Sequence, residues 1–190
     1  MGLIRLNNQS LTNVTTLPAA DGSSLTGVSA GKVLQVVTNH FTTTSSQSAA
    51  SNTNVNITNL SASITPSATT SKIFIMCQWS GETSQYLHNS MFGIKRGTTV
   101  VGSPTDAGSR GHAISHVKSG FYSGDNASTM DGCTWHFLDD PQTTSAITYH
   151  GFVRNGGVTK TVYTNRTVSD TNSAGYERAA SSITLWEIAP

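Results

Sequence analysis

Short apolar runs alternate with stretches of Gly, Ser, Thr, Asn and Asp along the chain, and a helical period of apolar positions is nearly absent. This spacing is typical of an all-β sandwich or barrel. The runs predict nine main strands, which imply two packed antiparallel sheets, because one open sheet would leave an apolar face in water. These strands are residues 33–41, 55–64, 72–79, 88–96, 112–118, 132–138, 146–153, 159–164 and 182–188.

Two of these strands carry apolar side chains on both faces. One is the strand at 72–79, and the other is the last strand of the chain, at 182–188. A strand that is apolar on both faces is typically covered on both sides. We therefore expect these side chains to lie in the core and in a contact between subunits. This set consists of Ile73, Phe74, Ile75, Met76, Trp79, Trp186 and Ile188.

The residue types also predict two turns and one irregularity within a strand. The alternation of apolar residues changes phase within 55–64, which predicts a bulge or turn near Thr58 and Asn59. Gly97 follows Lys95-Arg96 and predicts a tight hairpin leading into a short strand at 99–101. The sequence Asn-Gly-Gly at 155–157 supplies residues that accept the positive φ of a hairpin turn.

Residues 1–31 differ from the rest of the chain and are predicted to form a separate segment, followed by a sandwich domain at 32–190. The segment lacks aromatic residues and ends in a stretch rich in Gly and Ser. It is either a disordered tail or an extended anchoring arm that becomes ordered against a partner. The arm would bury the apolar residues Leu3, Ile4, Leu6, Leu11, Val14 and Leu17.

The composition is polar but nearly uncharged, with 26 Ser and 28 Thr against 11 basic and 10 acidic residues. A net charge of +1 gives no basic field for phosphates, so nucleic acid is not an expected partner. The longest strictly apolar run, 73–77, is far shorter than the ~18 residues of a membrane helix, so no membrane insertion is expected. The first ten residues lack the apolar region of a secretory signal.

Candidate catalytic and metal-binding motifs are present but lack the required context. The G-x-S-x-G match at 27–31 precedes a strand, whereas a nucleophile elbow needs a strand before it and a helix after it. His112 and His116, read as strand residues, would stand about 13 Å apart at ~3.3 Å per residue. Asp139 and Asp140 are neighbours, which suits surface loop acids better than a facing catalytic pair. No enzyme activity, metal or cofactor is expected.

The two cysteines, Cys77 and Cys133, each lie in an apolar strand. Two cysteines in 190 residues do not make a disulfide scaffold. We expect buried free thiols, with a disulfide between the two as the alternative.

Several fragments occur in a characteristic order along the chain. They are LNNQSLTNVTTLPAA, GKVLQVV, NLSASITPSATTSKIFIM, FGIKRGTTVVG, FLDDPQTTSAITYHGFV and AASSITLWEIAP. In this order, from about Leu6 to the end, the chain resembles small virion proteins of tailed bacteriophages, of the tail-fibre and structural type. The resemblance implies a β jelly roll displayed on the particle as a homotrimer, and it brings no catalytic residues.

Composition and resemblance together predict a non-enzymatic structural protein of the virion. The first expectation is a capsid decoration or cement protein, anchored by its N-terminal arm on other virion proteins such as the major capsid protein. An arm of about 30 residues spans up to roughly 100 Å when extended, which suits neighbouring capsid subunits. The alternative is a tail-fibre or receptor-binding tip that attaches to a host surface glycan or receptor. A fibre shaft needs heptads or a long repeat, which this sequence lacks.

Overall fold

The computed structural model describes residues 33–85, 89–105, 108–117 and 127–189. Within these ranges every regular element is a β-strand, and none is a helix. The strands are β1 (Val33–Phe41), β2 (Ser45–Ala49), β3 (Asn54–Ile64), β4 (Lys72–Thr83), β5 (Ser90–Arg96), β6 (Thr99–Val101), β7 (Ser115–His116), β8 (Asp131–Asp139), β9 (Ile147–Asn155), β10 (Lys160–Thr164) and β11 (Ser181–Ile188).

The first sheet is built around the long strand β4. One edge of β4 pairs with β8 over nearly its whole length. The other edge pairs with β11 along its first half and with β10 along its second half. Beyond these, β1 pairs with β11 and β2 pairs with β10. β10 and β11 therefore lie end to end and serve together as one inner strand.

The second sheet has the order β3-β9-β5, with β6 and β7 sharing the far edge of β5. All strand pairs in both sheets are antiparallel. The chain crosses from one sheet to the other after β2, β3, β4, β7, β8 and β9. A chain that alternates in this way between two packed antiparallel sheets forms the double-sheet jelly roll. The predicted all-β antiparallel sandwich of jelly-roll type is confirmed.

Aromatic side chains fill the space between the two sheets. Phe92 from the second sheet lies between Trp79 and Trp135 of the first, with ring centroids 5.1 Å and 5.3 Å away. The two indole groups stay hydrogen-bonded inside the core: Trp79 Nε1 donates to Thr164 Oγ1 at 3.0 Å, and Trp135 Nε1 donates to the Gly93 carbonyl at 3.0 Å. Buried tryptophans need such partners, so these bonds fix the position of both rings.

The strand predictions hold at most positions, with one strand missed and one predicted strand mostly absent. β1 and the short strand β6 lie where they were predicted. The phase change in β3 is confirmed, because pairing with β9 shifts between Asn56 and Ser61 and Asn59 has a φ of 66°. β2 was not predicted, and the strand predicted at 112–118 is reduced to Ser115–His116.

The turn predictions have mixed outcomes. Gly97 has a φ of 57° between paired strands β5 and β6, as the hairpin requires. Gly157 also has a positive φ, of 81°. However, the segment at 155–157 connects β9 to β10, which belong to different sheets, so the predicted hairpin there is wrong.

Candidate functional site

A cluster of apolar side chains faces away from the core on the first sheet. We call it the outer patch, and it consists of Val36, Phe74, Met76, Leu138, Trp186 and Ile188. Val36, Leu138 and Met76 are 53%, 48% and 37% exposed. Contiguous apolar patches on a soluble protein commonly mark an interaction site, whereas single exposed apolar residues are normal. The outer patch is therefore the candidate functional surface of the described residues.

Strand register gathers the outer patch into rows across four strands. Val36 on β1 pairs with Trp186 on β11, Trp186 pairs with Phe74 on β4, and Phe74 pairs with Leu138 on β8. The Trp186 and Phe74 rings lie 5.5 Å apart, and the Phe74 ring lies 5.7 Å from that of His136. Paired positions on neighbouring strands place side chains in direct contact, so the row is a continuous apolar strip.

The predicted core and interface residues divide between the two faces of the first sheet. Ile73, Ile75 and Trp79 are fully buried in the sandwich core, where a second subunit cannot reach them. The other four, Phe74, Met76, Trp186 and Ile188, belong to the outer patch.

Val36 and Leu138 were absent from that prediction although they flank the aromatic pair. Each occupies the solvent-facing phase of its own strand, with Thr38 and His40 following Val36 and with Thr134 and His136 preceding Leu138. On β8, Leu138 therefore reads as the single apolar residue of a polar outer face, and on β1, Val36 and Leu34 are followed by polar positions only. Only the cross-strand register shows that the two residues extend one apolar row.

The outer face of the second sheet is different. The matching row there is Ser61, His150, Lys95 and Val100, which is largely polar. Two large apolar residues lie on this face. Phe152 is fully buried because its ring lies against Gly93, and Met91 is half-buried. Lys95 Nζ lies 5.9 Å from the centre of that ring and donates to the Asn54 carbonyl at 2.7 Å.

Burial and the nearby Lys95 ammonium lower the pKa of His150. The His150 imidazole is therefore neutral over a wider pH range than a free one, although it lies on the polar side of the molecule.

A buried carboxylate, Glu187 on β11, holds two chain segments at the end of the sandwich where β1 begins. It accepts hydrogen bonds from the Ser67 backbone N–H at 2.7 Å, from Ser67 Oγ at 2.6 Å and from Gln35 Nε2 at 2.6 Å. Burial acts to raise the pKa of Glu187, but hydrogen bonds from Ser67 and Gln35 outweigh it and lower the pKa to about 2. The carboxylate fastens β1 and the β3–β4 connection to the sheet.

Asp139 corrects one expectation from the sequence. It was expected to be a surface loop acid, but it ends β8 with a side chain only 7% exposed. Asp139 Oδ2 accepts from Tyr149 Oη at 2.7 Å and pairs with Arg96 at 3.0 Å. Burial raises the pKa of Tyr149, and the bond to Asp139 adds to that effect. Asp140 is the exposed neighbour and pairs with Lys72 at 3.3 Å.

Both cysteines are buried and free. Cys77 pairs with Trp135 across β4 and β8, which places Cys133 diagonally opposite Cys77 on the inner face. Burial raises the pKa of Cys77, and the neighbouring Cys133 adds to that effect. The expectation of buried thiols is confirmed over the disulfide alternative.

Among the described residues, no three His, Cys, Asp or Glu side chains are close enough to hold a metal ion. Within the same ranges, no helix has the length and apolar character to cross a membrane. The segment at 27–31 and the whole predicted arm lie outside the described residues. The latter includes Leu3, Ile4, Leu6, Leu11, Val14 and Leu17.

The connection between β10 and β11, residues 165–180, is a loop that hydrogen bonds hold in place. Asn165 Nδ2 donates to the carbonyls of Phe41 and Thr43, and Ser181 Oγ donates to Asn165 Oδ1 at 2.6 Å, which closes the base of the loop. Further out, Arg178 binds Asp170 through two hydrogen bonds. Compact surface loops with closely spaced ends are frequently functional.

Comparison with known proteins identifies no family. No protein-family model matches the chain, and no curated protein matches it. Three similar solved structures come from infectious bursal disease virus. The Gt strain structure is 15% identical over 100% of this chain, with a TM-score of 0.38. The VP2 subviral particle is 16% identical over 82%, with a TM-score of 0.34.

The third structure, of T=1 particles derived from that virus, is 15% identical over 91% of this chain, with a TM-score of 0.33. The chain spans 43%, 38% and 41% of the chains in these three structures.

Proposed function

We propose that the chain is a non-enzymatic structural protein of a bacteriophage virion, displayed on the particle as a homotrimeric capsid decoration or cement protein. The observation that carries the proposal is the contrast between the two outer faces of the jelly roll. One face bears a continuous apolar row, and the other bears a polar one. A domain with a single apolar face and an almost neutral surface suits permanent association, because its apolar area leaves water only when a neighbour covers it.

In this proposal residues 1–31 form the anchor on other virion proteins. The segment joins the sandwich at the start of β1, at the end where Glu187 fastens that strand through Gln35. Because β1 is held firmly in the sheet, an arm that is bound to another virion protein would hold the whole domain on the particle. The series of sequence fragments that resembles phage virion proteins begins inside this segment, at about Leu6. This supports a role for the segment in the particle.

A tail-fibre or receptor-binding tip is the second candidate, and the loop at 165–180 favours it. The Asp170–Arg178 pair and the Asn165 hydrogen bonds hold this exposed loop in one conformation before any partner binds. Preorganised loops bind at a lower cost in conformational entropy. The partner in this case would be a host surface glycan or receptor.

The anchor is tested by adding purified protein to virions that lack it and measuring how much sediments with the particles. We expect removal of residues 2–31 to abolish sedimentation, because the apolar contacts of the arm are lost. A full-length variant with Leu6→Ser, Leu11→Ser, Val14→Ser and Leu17→Ser should behave in the same way. The matched control replaces polar arm residues: Asn7→Ser, Asn8→Ser, Thr12→Ser and Asn13→Ser.

Undiminished sedimentation of the truncated protein would refute the anchoring role. The absence of enzyme activity has its own test, incubation of the protein with the polysaccharide of the host surface. The release of new reducing ends would overturn the non-enzymatic assignment.

A further inference from the structure

Charge divides unevenly between the two sheets, although the net charge of the whole chain is only +1. The strands of the first sheet carry several carboxylates, namely Glu82, Asp131, Asp139 and Glu187. The strands of the second sheet, β3, β5, β6, β7 and β9, contain no Asp or Glu. They contain the cations Lys95, Arg96 and Arg154. The second sheet is therefore the cationic layer of the sandwich.

Two of these cations meet at Asn54 on the outer face of the second sheet. Lys95 on β5 reaches over the ring of Phe152 on β9, and its Nζ donates to the Asn54 carbonyl at 2.7 Å. Arg154 pairs with Asn54 across β9 and β3, and its Nη1 lies 3.5 Å from Asn54 Oδ1. Side chains from two strands thus bring their positive charges to the two oxygens of one residue on a third strand.

These two cations keep hydrogen-bond donors that the described part of the chain does not use. Arg154 Nε is buried and has no partner among the described residues, and the contact of Nη1 with Asn54 is at the limit for a hydrogen bond. In the same ranges, no carboxylate pairs with Arg154 or Lys95. A guanidinium presents a fixed fork of donors that matches a carboxylate, and an ammonium adds a point charge. The pair is suited to an anion from outside the chain.

The groups around the two cations indicate which kind of anion fits. The neighbouring side chains of the same face are neutral hydrogen-bonding groups, namely Asn56, Ser61, Ser63, Thr148 and His150. The lowered pKa of His150 leaves its imidazole neutral at pH 7, able both to donate and to accept. Phe152 is buried and so cannot stack on a base, which single-stranded nucleic acid would require. Such a surface matches a molecule that combines hydroxyl groups with an occasional carboxylate.

From these observations we infer that the outer face of the second sheet binds an acidic polysaccharide. One carboxylate of the sugar chain lies between Lys95 and Arg154, and adjacent sugar hydroxyls contact the Asn, Ser and Thr side chains of β3 and β9. The site lies on the opposite side of the sandwich from the outer patch, so a chain covered on its first sheet keeps it free. The inference goes beyond the proposed virion role and holds for a decoration protein and for a receptor-binding tip alike.

The test is titration calorimetry of the purified full-length chain with tri-galacturonic acid, which carries one carboxylate on each sugar. The fully methyl-esterified trisaccharide is the matched probe, because it keeps the sugar rings and removes the charge. We expect saturable binding of the acid and no binding of the ester. The affinity for the acid should fall as salt is added, since salt screens exposed charges.

Four variants locate the binding. Asn54→Asp keeps the shape of the side chain and supplies a carboxylate to both cations from within the chain. It should abolish binding while the Tm stays native or rises. Arg154→Gln and Lys95→Gln should each weaken binding roughly tenfold or more, because each removes a charge-assisted hydrogen bond. Lys72→Gln is the matched control, since it removes the same charge from the outer face of the first sheet, and it should bind as the native chain does.

Undetectable binding of the acid, or native affinity in a folded Asn54→Asp variant, would overturn the site. An equal loss of affinity in Lys72→Gln would show that only the net charge matters and would overturn it as well. Equal or tighter binding of poly-glutamate or of a single-stranded oligonucleotide would overturn the assignment to a polysaccharide. All these measurements use purified protein without particles. Absence of the chain from virions would therefore refute the virion role and leave this site intact.

Discussion

The buried carboxylate of Glu187 makes the stability of the sandwich depend on pH in a defined direction. Its pKa is about 2 in the folded chain, against an ordinary value of 4.5. A folded pKa below the ordinary value means that the ionised group stabilises the folded state. That contribution is complete above about pH 4.5 and is lost as the pH falls towards 2.

The size of the effect follows from the difference between the two pKa values. At about 1.4 kcal/mol per pKa unit, Glu187 contributes roughly 3 kcal/mol to the free energy of unfolding at pH 7. The same linkage leaves roughly 1.5 kcal/mol at pH 3. Glu187→Gln keeps the shape and removes the charge, so its destabilising effect should be about half as large at pH 3 as at pH 7.

The assay is thermal unfolding followed by circular dichroism at pH 7, 5 and 3. For a domain of this size about 1 kcal/mol shifts Tm by ~2–4 °C, so the Tm gap between Glu187→Gln and the native chain should shrink by roughly 3–6 °C between pH 7 and pH 3. Glu177→Gln, at an exposed loop carboxylate, is the control and should follow the native chain. A Tm gap for Glu187→Gln that stays constant with pH would refute the reasoning.

Three further predictions follow from the site. Asp139→Asn should lower the free energy of unfolding by about 1.5–3 kcal/mol in urea titrations, because it removes the charge from a half-buried ion pair with Arg96. Asp140→Asn, at the exposed pair next to it, should change it by less than about 1 kcal/mol, and equal effects would contradict this account. Gly93→Ala should cost about 1–3 kcal/mol in the same titration, because its Cβ meets the Phe152 ring. Cys77 should stay unreactive towards a thiol reagent at pH 8 until the chain unfolds, and rapid labelling of the folded protein would disprove its burial.

The alternation of apolar residues predicts most of the strands because each core-facing side chain repeats at every second position. β2 was missed because Ser45–Ala49 has no apolar residue except its last, so its strand conformation depends on pairing with β10 rather than on its own pattern. The serial arrangement of β10 and β11 along one edge of β4 was also not predicted. This arrangement depends on the length of β4, with which both strands pair, and nothing in the sequences of β10 and β11 themselves indicates it.

The candidate surface was predictable in part for the same reason. Phe74 and Trp186 were identified because their own strands are apolar on both faces. Leu138 is the single apolar residue of its strand face, and Val36 is followed on its face by polar residues, so only the register shows that both belong to the row. Asp139 was misassigned because its partners, Arg96 and Tyr149, lie on strands of the other sheet and reach it only when the two sheets pack together.

The location and copy number of the chain in purified virions test the central claim most directly. Quantitative mass spectrometry of virions, combined with imaging of labelled protein on intact particles, gives both. A homotrimeric decoration protein predicts hundreds of copies per particle, in a multiple of three, distributed over the head. A dozen or two copies confined to the tail would contradict decoration and support the receptor-binding tip, and the absence of the chain from virions would contradict the virion role itself.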